Sequence, residues 1–380
     1  MIIFLLLLIK IIFITSLTQK ISKEYLNLIS WIKNNNGYIS NKLIPVEINK
    51  QNRYIESSQP INNNELLAYI PHNLIISSIN RLVNQKCAHA YGIFHEQDFE
   101  CLVFFLTLDK NNPNSFFKPY YDYFPDLDIK IFPREYSQEE INNYTEIGIK
   151  SYINHLNILF NRSYSDFVQK ILLEEYNIKN IHDNFKYNFY FVLSRDLSRA
   201  GSETYPDLNS LCPFIDLFNH NNNFNVDWIY NEDKKRYELF SVKEIKKGEE
   251  LTTNYGQLNN LHLLNVYGFV LKDNKYKINV SILVNGEHRY FLYYSDDDEE
   301  IIKNIDRIIF ALKEIYIDKN IDPGSDWYIK NIVYAIYDKI DNLENIETNN
   351  DNIKEIILEE IDTLRKYLKV IFDYFIIYYK

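Results

Sequence analysis

Leu211-Cys212-Pro213-Phe214-Ile215-Asp216-Leu217-Phe218-Asn219-His220 is an apolar run that ends in an amide and an imidazole, then enters the turn Asn221-Asn222-Asn223. By itself it reads as a buried strand with a turn, since Asn and His are common turn residues. A second stretch, Lys246-Lys247-Gly248-Glu249-Glu250-Leu251-Thr252-Thr253-Asn254-Tyr255-Gly256, is followed by a short helical pattern over Asn259 to Val266 and by Tyr267-Gly268-Phe269-Val270. Gly248 reads as a hairpin turn and Gly268 as the left-handed residue that closes the helix. Each stretch alone is ordinary architecture.

Working outward, Arg236 to Val242 and Glu250 to Thr253 read as strands flanking Gly248. Residues 40–79 hold short β-branched or aromatic runs (Leu43 to Ile48, Leu66 to Ile70, Leu74 to Ile76) between Asn, Ser and Pro clusters. Before them Tyr25, Leu26, Ile29 and Ile32 recur at helical spacing, and Asn34-Asn35-Asn36-Gly37 stops that helix. Helices are expected near Phe99 to Leu108, Ser137 to Leu159, Ser165 to Leu173 and Asp183 to Ser194. After the acidic start Asp296-Asp297-Asp298-Glu299-Glu300, which suits a helix dipole, the chain reads as helical to its end, with a polar loop from Asp341 to Asn352. Ile357, Ile361, Leu364, Leu368, Ile371 and Phe375 form one apolar seam, expected to pack on its own lobe rather than in a coiled coil.

The 380 residues carry 41 basic and 52 acidic side chains, a net charge of −11, with no long basic run, which argues against a nucleic-acid partner. A hydrophobic content of 46% and an aromatic content of 16% indicate a packed chain rather than a disordered one. Ile2 to Ile14 is apolar apart from Lys10, short for a membrane span of about 20 residues but of signal-peptide size; it reads either as a signal or anchor or as an untargeted extension. A membrane partner is expected only if that run is retained. Cys87, Cys101 and Cys212 cannot all pair and are too few for a disulfide framework, which fits a reducing compartment. Cys87, His89, His95 and Cys101 follow no standard finger spacing, so no metal is expected. His72, His155, His182, His262 and His288 show no triad-like setting, and no phosphate-binding glycine loop is present among only 9 glycines.

The two signature stretches together resemble those of the SET-domain methyltransferases, in detail the branch of RuBisCO large-subunit lysine methyltransferase. Trp31-Ile32-Lys33 with Asn36-Gly37, Leu66 to Pro71, Phe117 to Pro125, and Ser194-Arg195 with Arg199 are similar to further elements of that branch. The resemblance implies an α+β SET-domain fold of small β-sheets with a knot-like crossing, a helical insertion and a C-terminal helical substrate-binding lobe. The segments are 1–20 (signal, anchor or extension), 21–97 (N-terminal SET segment), 98–193 (insertion), 194–272 (C-terminal SET segment) and 273–380 (helical lobe). The implied activity is transfer of the methyl of S-adenosylmethionine to a lysine ε-amine of a protein substrate by a monomer, cytoplasmic or nuclear unless residues 1–20 direct it to the secretory pathway or a membrane.

By the same resemblance Tyr267 is the principal catalytic phenol and Tyr255 the second. Asn219 and His220 hold the adenine and amino-acid portion of the cofactor, Arg195 lies near its carboxylate, and Arg199, Asp216 and Trp228 stand on the substrate side. For Arg199 and Asp216 a buried ion pair is an equal reading. Histidine methylation, known in a related branch, is a second reading that Tyr267 opposes, because that branch lacks a tyrosine before the corresponding Gly-Phe. One departure is plain: where the family has a Gly-x-Gly cofactor loop, this chain has Asn52-Arg53-Tyr54-Ile55-Glu56. Asn52, able to adopt the left-handed conformation, is expected to substitute in part. The missing glycines motivate a third reading, an inactive SET-like interaction module.

Overall fold

The computed structural model describes residues 21–91, 98–197, 208–317 and 324–376. The run Ile2 to Ile14, His95 and Arg199 lie outside them. The chain forms two compact units: the first comprises residues up to Ile129 together with Leu159–Gly256, and the second Lys130–Ile158 together with Gln257–Lys380.

In the first unit, the helix Lys23–Asn34 is capped by the Ser22 hydroxyl, which accepts from Tyr25 N–H, and it buries Leu28 and Ile32. The strands are β1 (Tyr38–Ile39), β2 (Leu43–Glu47), β3 (Arg53–Ser57), β4 (Leu66–Pro71), β5 (Ile76–Ser77), β6 (Ser210–Leu211), β7 (Asn219–His220), β8 (Val226–Asn231), β9 (Arg236–Ser241) and β10 (Glu250–Thr253). They build two four-stranded sheets, ordered β1-β4-β9-β8 and β2-β3-β10-β7, and the pair β5-β6. Pro45 is tolerated in β2 because that strand is a sheet edge. The expected hairpin at Gly248 is not one. Gly248 is left-handed (φ 79°), but β9 and β10 belong to different sheets, because the chain between them pairs Ile245 with Ile61 and Gly248 N–H with the Ser57 carbonyl. β3 carries no apolar alternation strong enough to be read as a strand; pairing on both sides makes it one.

The helix Asp98–Asp109 is apolar almost all round and is buried from Glu100 to Thr107, packed against the helix Ile181–Arg195. Its neighbour Arg81–Tyr91 brings the Cys87 and Cys101 Cα atoms to 5.3 Å, and the two thiols form a disulfide. This corrects the expectation of reduced thiols; Cys212 is buried and free. Among the described residues no group of three or more His, Cys, Asp or Glu could hold a metal, and no helix is long and apolar enough to cross a membrane.

In the second unit, the expected long helix from Ser137 is broken. Gln138–Asn143 opens with a capping box from Ser137 and Glu140, and left-handed Gly148 (φ 74°) separates it from Ile149–Ser163. A hairpin of β11 (Val280–Val284) and β12 (His288–Leu292), with Asn285 and Gly286 in its turn, precedes the helices Asp298–Ile317, Ser325–Glu344 and Asp351–Val370. The seam residues Ile357, Ile361, Leu364, Leu368 and Ile371 are buried in this unit's core with Ile305, Leu312 and Ile332, so the seam packs on its own lobe.

Candidate active site

The two signature stretches fold against each other. β7 pairs in parallel with β10, Asn219 opposite Thr252 and His220 opposite Thr253. Asn225 laces the turn to the same strand: its amide donates to the Glu250 carbonyl (2.8 Å) and accepts from Thr252 N–H (2.8 Å). Tyr255 N–H donates to His220 Nδ1 at 3.0 Å, so that nitrogen is an unprotonated acceptor and the neutral ring carries its proton on Nε2. The Tyr255 and His220 rings lie 5.1 Å apart, and the Tyr255 hydroxyl donates to the Phe218 carbonyl at 2.8 Å. Burial pushes the Tyr255 phenol up to about 12, with Asp216 adding to the rise and Arg195 opposing it.

The approach to β7 is strained. Phe214, fully buried, holds φ 75° and ψ −44°, a region that costs a non-glycine residue about 1–3 kcal/mol. The turn it makes aims Asp216 inward. The Asp216 carboxylate accepts from the Tyr120 hydroxyl at 2.6 Å and lies 3.6 Å from Arg195 Nη1, which itself donates to the Asp216 carbonyl at 2.6 Å. Burial raises the Asp216 carboxyl above the ordinary range, while Arg195, Tyr120 and Arg53 hold it down. Its Oδ1 is buried with no hydrogen-bond partner among the described residues. The sequence offered a buried ion pair or a substrate contact for Asp216, and the observed partners are those of an ion pair.

Asn219 is exposed, and its amide donates to the Arg53 carbonyl (3.2 Å) and to Glu250 (2.9 Å). Asn52 does not take the left-handed conformation expected of it. The β2–β3 loop instead closes through the Asn52 carbonyl, which accepts from Ile48 and Asn49 N–H, and through Asn49 Oδ1, which accepts from Gln51 and Asn52 N–H. Trp228 lies in the other four-stranded sheet, its ring 5.5 Å from Tyr237 and its backbone opposite Leu239, so its stacking there is with a core tyrosine. Tyr267 belongs to the second unit. It ends the helix Asn260–Tyr267, Gly268 closes that helix with φ 78° and its N–H on the Leu264 carbonyl, and the Tyr267 ring lies 6.2 Å from Phe269. The following turn is pinned by Asn260, whose side chain accepts from Leu271 N–H and donates to Glu359 (both 2.9 Å).

Reasoning from sequence missed the side chains of Arg53, Lys110 and Tyr123. Their only signal was position: the first sits where the family's glycine loop is expected, and Tyr123 lies in the run Phe117 to Pro125.

The pattern and the geometry define a class. Residues 52–256 match the SET domain family model, and the chain belongs to that family. The SET domain of LSMT bound to lysine and AdoHcy superposes with a TM-score of 0.62 at 13% identity, covering 90% of each chain. Rubisco LSMT bound to sinefungin and monomethyllysine gives 0.63 at 14% identity, covering 91% of this chain and 90% of that one. Among curated relatives, SET domain-containing protein 4 of Artemia parthenogenetica is 24% identical over 258 residues, 65% of this chain and 63% of the relative. Actin-histidine N-methyltransferase of Xenopus tropicalis is 24% identical over 284 residues, 70% of this chain but 46% of the relative. The matched region thus spans between about half and two thirds of these relatives.

Proposed function

We propose that this chain is an S-adenosylmethionine-dependent protein methyltransferase acting as a monomer, and that its acceptor is a lysine ε-amine of a protein substrate docked on the helical lobe. The observation that carries the reading is the parallel pairing of β7 with β10, which sets the Asn219-His220 pair beside the strand that leads to Tyr255. The donor set suits such a cofactor. Asn219 presents an exposed amide at the end of β7, His220 a neutral imidazole, and Arg195, 23% exposed, a planar fork matched to a carboxylate. Asn52 contributes only loop backbone. When bound, the cofactor supplies a methyl group on a positively charged sulfur.

The chain's own residues handle the acceptor. An ordinary lysine titrates at about 10.4 and attacks only when neutral, so a dry aromatic channel that penalises the ammonium lowers the barrier. Tyr255 remains protonated at neutral pH and serves as a hydrogen-bonding dipole rather than a base, its hydroxyl donating to the Phe218 carbonyl. Tyr267 is assigned the principal phenol, and Asp216, Arg199 and Trp228 the acceptor side, on the resemblance alone. The relatives named actin-histidine N-methyltransferase favour a histidine acceptor as the second reading; Tyr267 before Gly268-Phe269 favours lysine.

Calorimetry with the cofactor, then transfer of tritiated methyl into a lysate with acid hydrolysis to separate methyllysine from methylhistidine, distinguishes the readings. Methyllysine is expected. Methylhistidine alone would replace the acceptor, and no binding at millimolar cofactor would leave an inactive module. Tyr267→Phe should cut turnover far more than cofactor affinity, whereas Asn219→Ala should chiefly weaken cofactor binding. Equal losses in the first variant, or an unchanged dissociation constant in the second, would remove those assignments.

A further inference from the structure

In the second unit, the helix Asn260–Tyr267 and the turn after it are held by a buried polar cluster that the proposed reaction does not use. Asn260, Asn274 and Glu359 are each less than a tenth exposed. The Asn260 side chain fills every hydrogen-bonding position an amide has. Its nitrogen donates to the Leu271 carbonyl (2.9 Å) and to Glu359 Oε2 (2.9 Å), and its oxygen accepts from Leu271 N–H (2.9 Å) and Asn274 Nδ2 (3.1 Å). Glu359 Oε1 accepts from Ile278 N–H at 2.8 Å, and Asn274 also donates to the Leu258 carbonyl at 2.9 Å. Because the carboxylate can only accept and Leu271 N–H can only donate, the Asn260 amide has a single orientation.

The residues fixed in this way bracket Tyr267. Asn260 begins the helix that Tyr267 ends, and Leu271 is bound back to Asn260 through both of its backbone groups. Between them, a Cβ at Gly268 would collide with the Ile131 side chain, so the turn is packed as well as hydrogen-bonded. Glu359, on the helix Asp351–Val370, ties the start of the Tyr267 helix to Ile278, just before β11. An apolar side chain would fill that space without desolvating a charge. Burial raises the Glu359 carboxyl and Glu355 on its own helix adds to the rise, while Ile278 N–H, Lys277 and Asn260 hold it down. What the carboxylate provides, and an apolar contact does not, is one fixed arrangement of donors and acceptors.

We propose that Glu359, acting through Asn260, is a positioning residue for the Tyr267 phenol: the cluster fixes the turn from Gly268 to Asn274 so that the ring is presented to the acceptor amine in one place. The inference rests on the reading of Tyr267 as the principal phenol.

Glu359→Gln is nearly isosteric, yet in either amide orientation its NH2 faces a donor, Asn260 Nδ2 or Ile278 N–H. Adding Asn260→Asp supplies an acceptor and leaves only the bond to the Leu271 carbonyl unmade. Full-length variants are assayed by transfer of tritiated methyl from S-adenosylmethionine into lysate protein, with rates expressed per folded chain, counted by thermal melts and by calorimetric stoichiometry with S-adenosylhomocysteine. Glu359→Gln should lower the maximal rate by about tenfold to a hundredfold, the scale of a small misplacement at a reacting centre, with KM for S-adenosylmethionine held within about twofold. The double variant should recover part of the rate. Hydrogen exchange across residues 267–278 should quicken in the single variant and slow again in the double. A purely structural role would lower the folded fraction and leave the rate per folded chain unchanged; that result, or a double variant with no recovery, would overturn the positioning role. If Glu359→Gln does not fold, Glu359→Asp, which keeps the charge but shortens the reach, takes its place with the same outcomes. Tyr267→Phe separates the two readings: normal turnover in that variant would remove the phenol assignment itself, whereas lost turnover there beside a normal rate in folded Glu359→Gln would remove only the positioning role. A wild-type chain that transfers no methyl would overturn both.

Discussion

Glu360 and Lys339 form a buried pair in the helical lobe, 3.8 Å apart and each less than a tenth exposed. Lys339 is also held by Glu146, through its carboxylate at 3.2 Å and its carbonyl. Burial pushes the Glu360 carboxyl from 4.5 to about 7; Lys339 opposes the rise, and Glu359 and Glu146 add to it. The carboxyl therefore holds its proton more tightly in the folded chain than in the unfolded one. Between about pH 4.5 and 7 the native state binds more protons, so stability falls as pH rises through that window and stays low above it. At about 1.4 kcal/mol per tenfold, the full loss is about 3 kcal/mol. Glu360→Gln retains shape and polarity without the charge, and Lys339 keeps Glu146 as its counter-ion. Urea unfolding of wild type and variant at pH 4, below both values, and at pH 8 measures the effect. Equal stability is expected at the lower pH, and a more stable variant, by up to about 3 kcal/mol, at the higher. A variant weaker than wild type at pH 8 would refute the reasoning, because it would mean that the ion pair outweighs the desolvation of its carboxylate.

The Cys87–Cys101 disulfide closes a loop with a sequence separation of 14, for which chain entropy gives about 3 kcal/mol, so reductant or Cys87→Ser should lower the melting temperature of the first unit by several degrees. Three titratable thiols in the unreduced, denatured protein would contradict the bond. Tyr120→Phe removes a buried donor to a carboxylate and should cost about 1.5–3 kcal/mol at neutral pH by urea unfolding. A cost below about 0.5 kcal/mol would show that Asp216 is not stabilised by that hydroxyl.

The residues proposed for the site were legible as candidates because they come in two contiguous motifs. Asp216, Asn219 and His220 share one and Tyr255 the other, and the pattern of each is local. What was not legible depends on partners far along the chain. β3 is a strand because β2 and β10 flank it, and Gly248 turns the chain between two sheets rather than around a hairpin. The Trp228 ring lies against Tyr237 because β8 and β9 pair in that register. Asn52 had the intrinsic capacity for left-handed backbone, but Asn49 satisfies the loop's N–H groups without it.

The amino-acid order by itself determined the first helix and its buried face, the left-handed closure at Gly268, the seam from Ile357 to Ile371 and the membership carried by residues 52–256. These rest on periodicity, caps and motif spacing, all set within a few turns of chain. Tertiary structure decided the charge states and the pairings: the disulfide between two adjacent helices and the raised carboxyls of Asp216 and Glu360. Burial and Coulomb terms depend on distances across the fold, and residues 53, 110 and 187 become neighbours only when the chain has closed around one cavity.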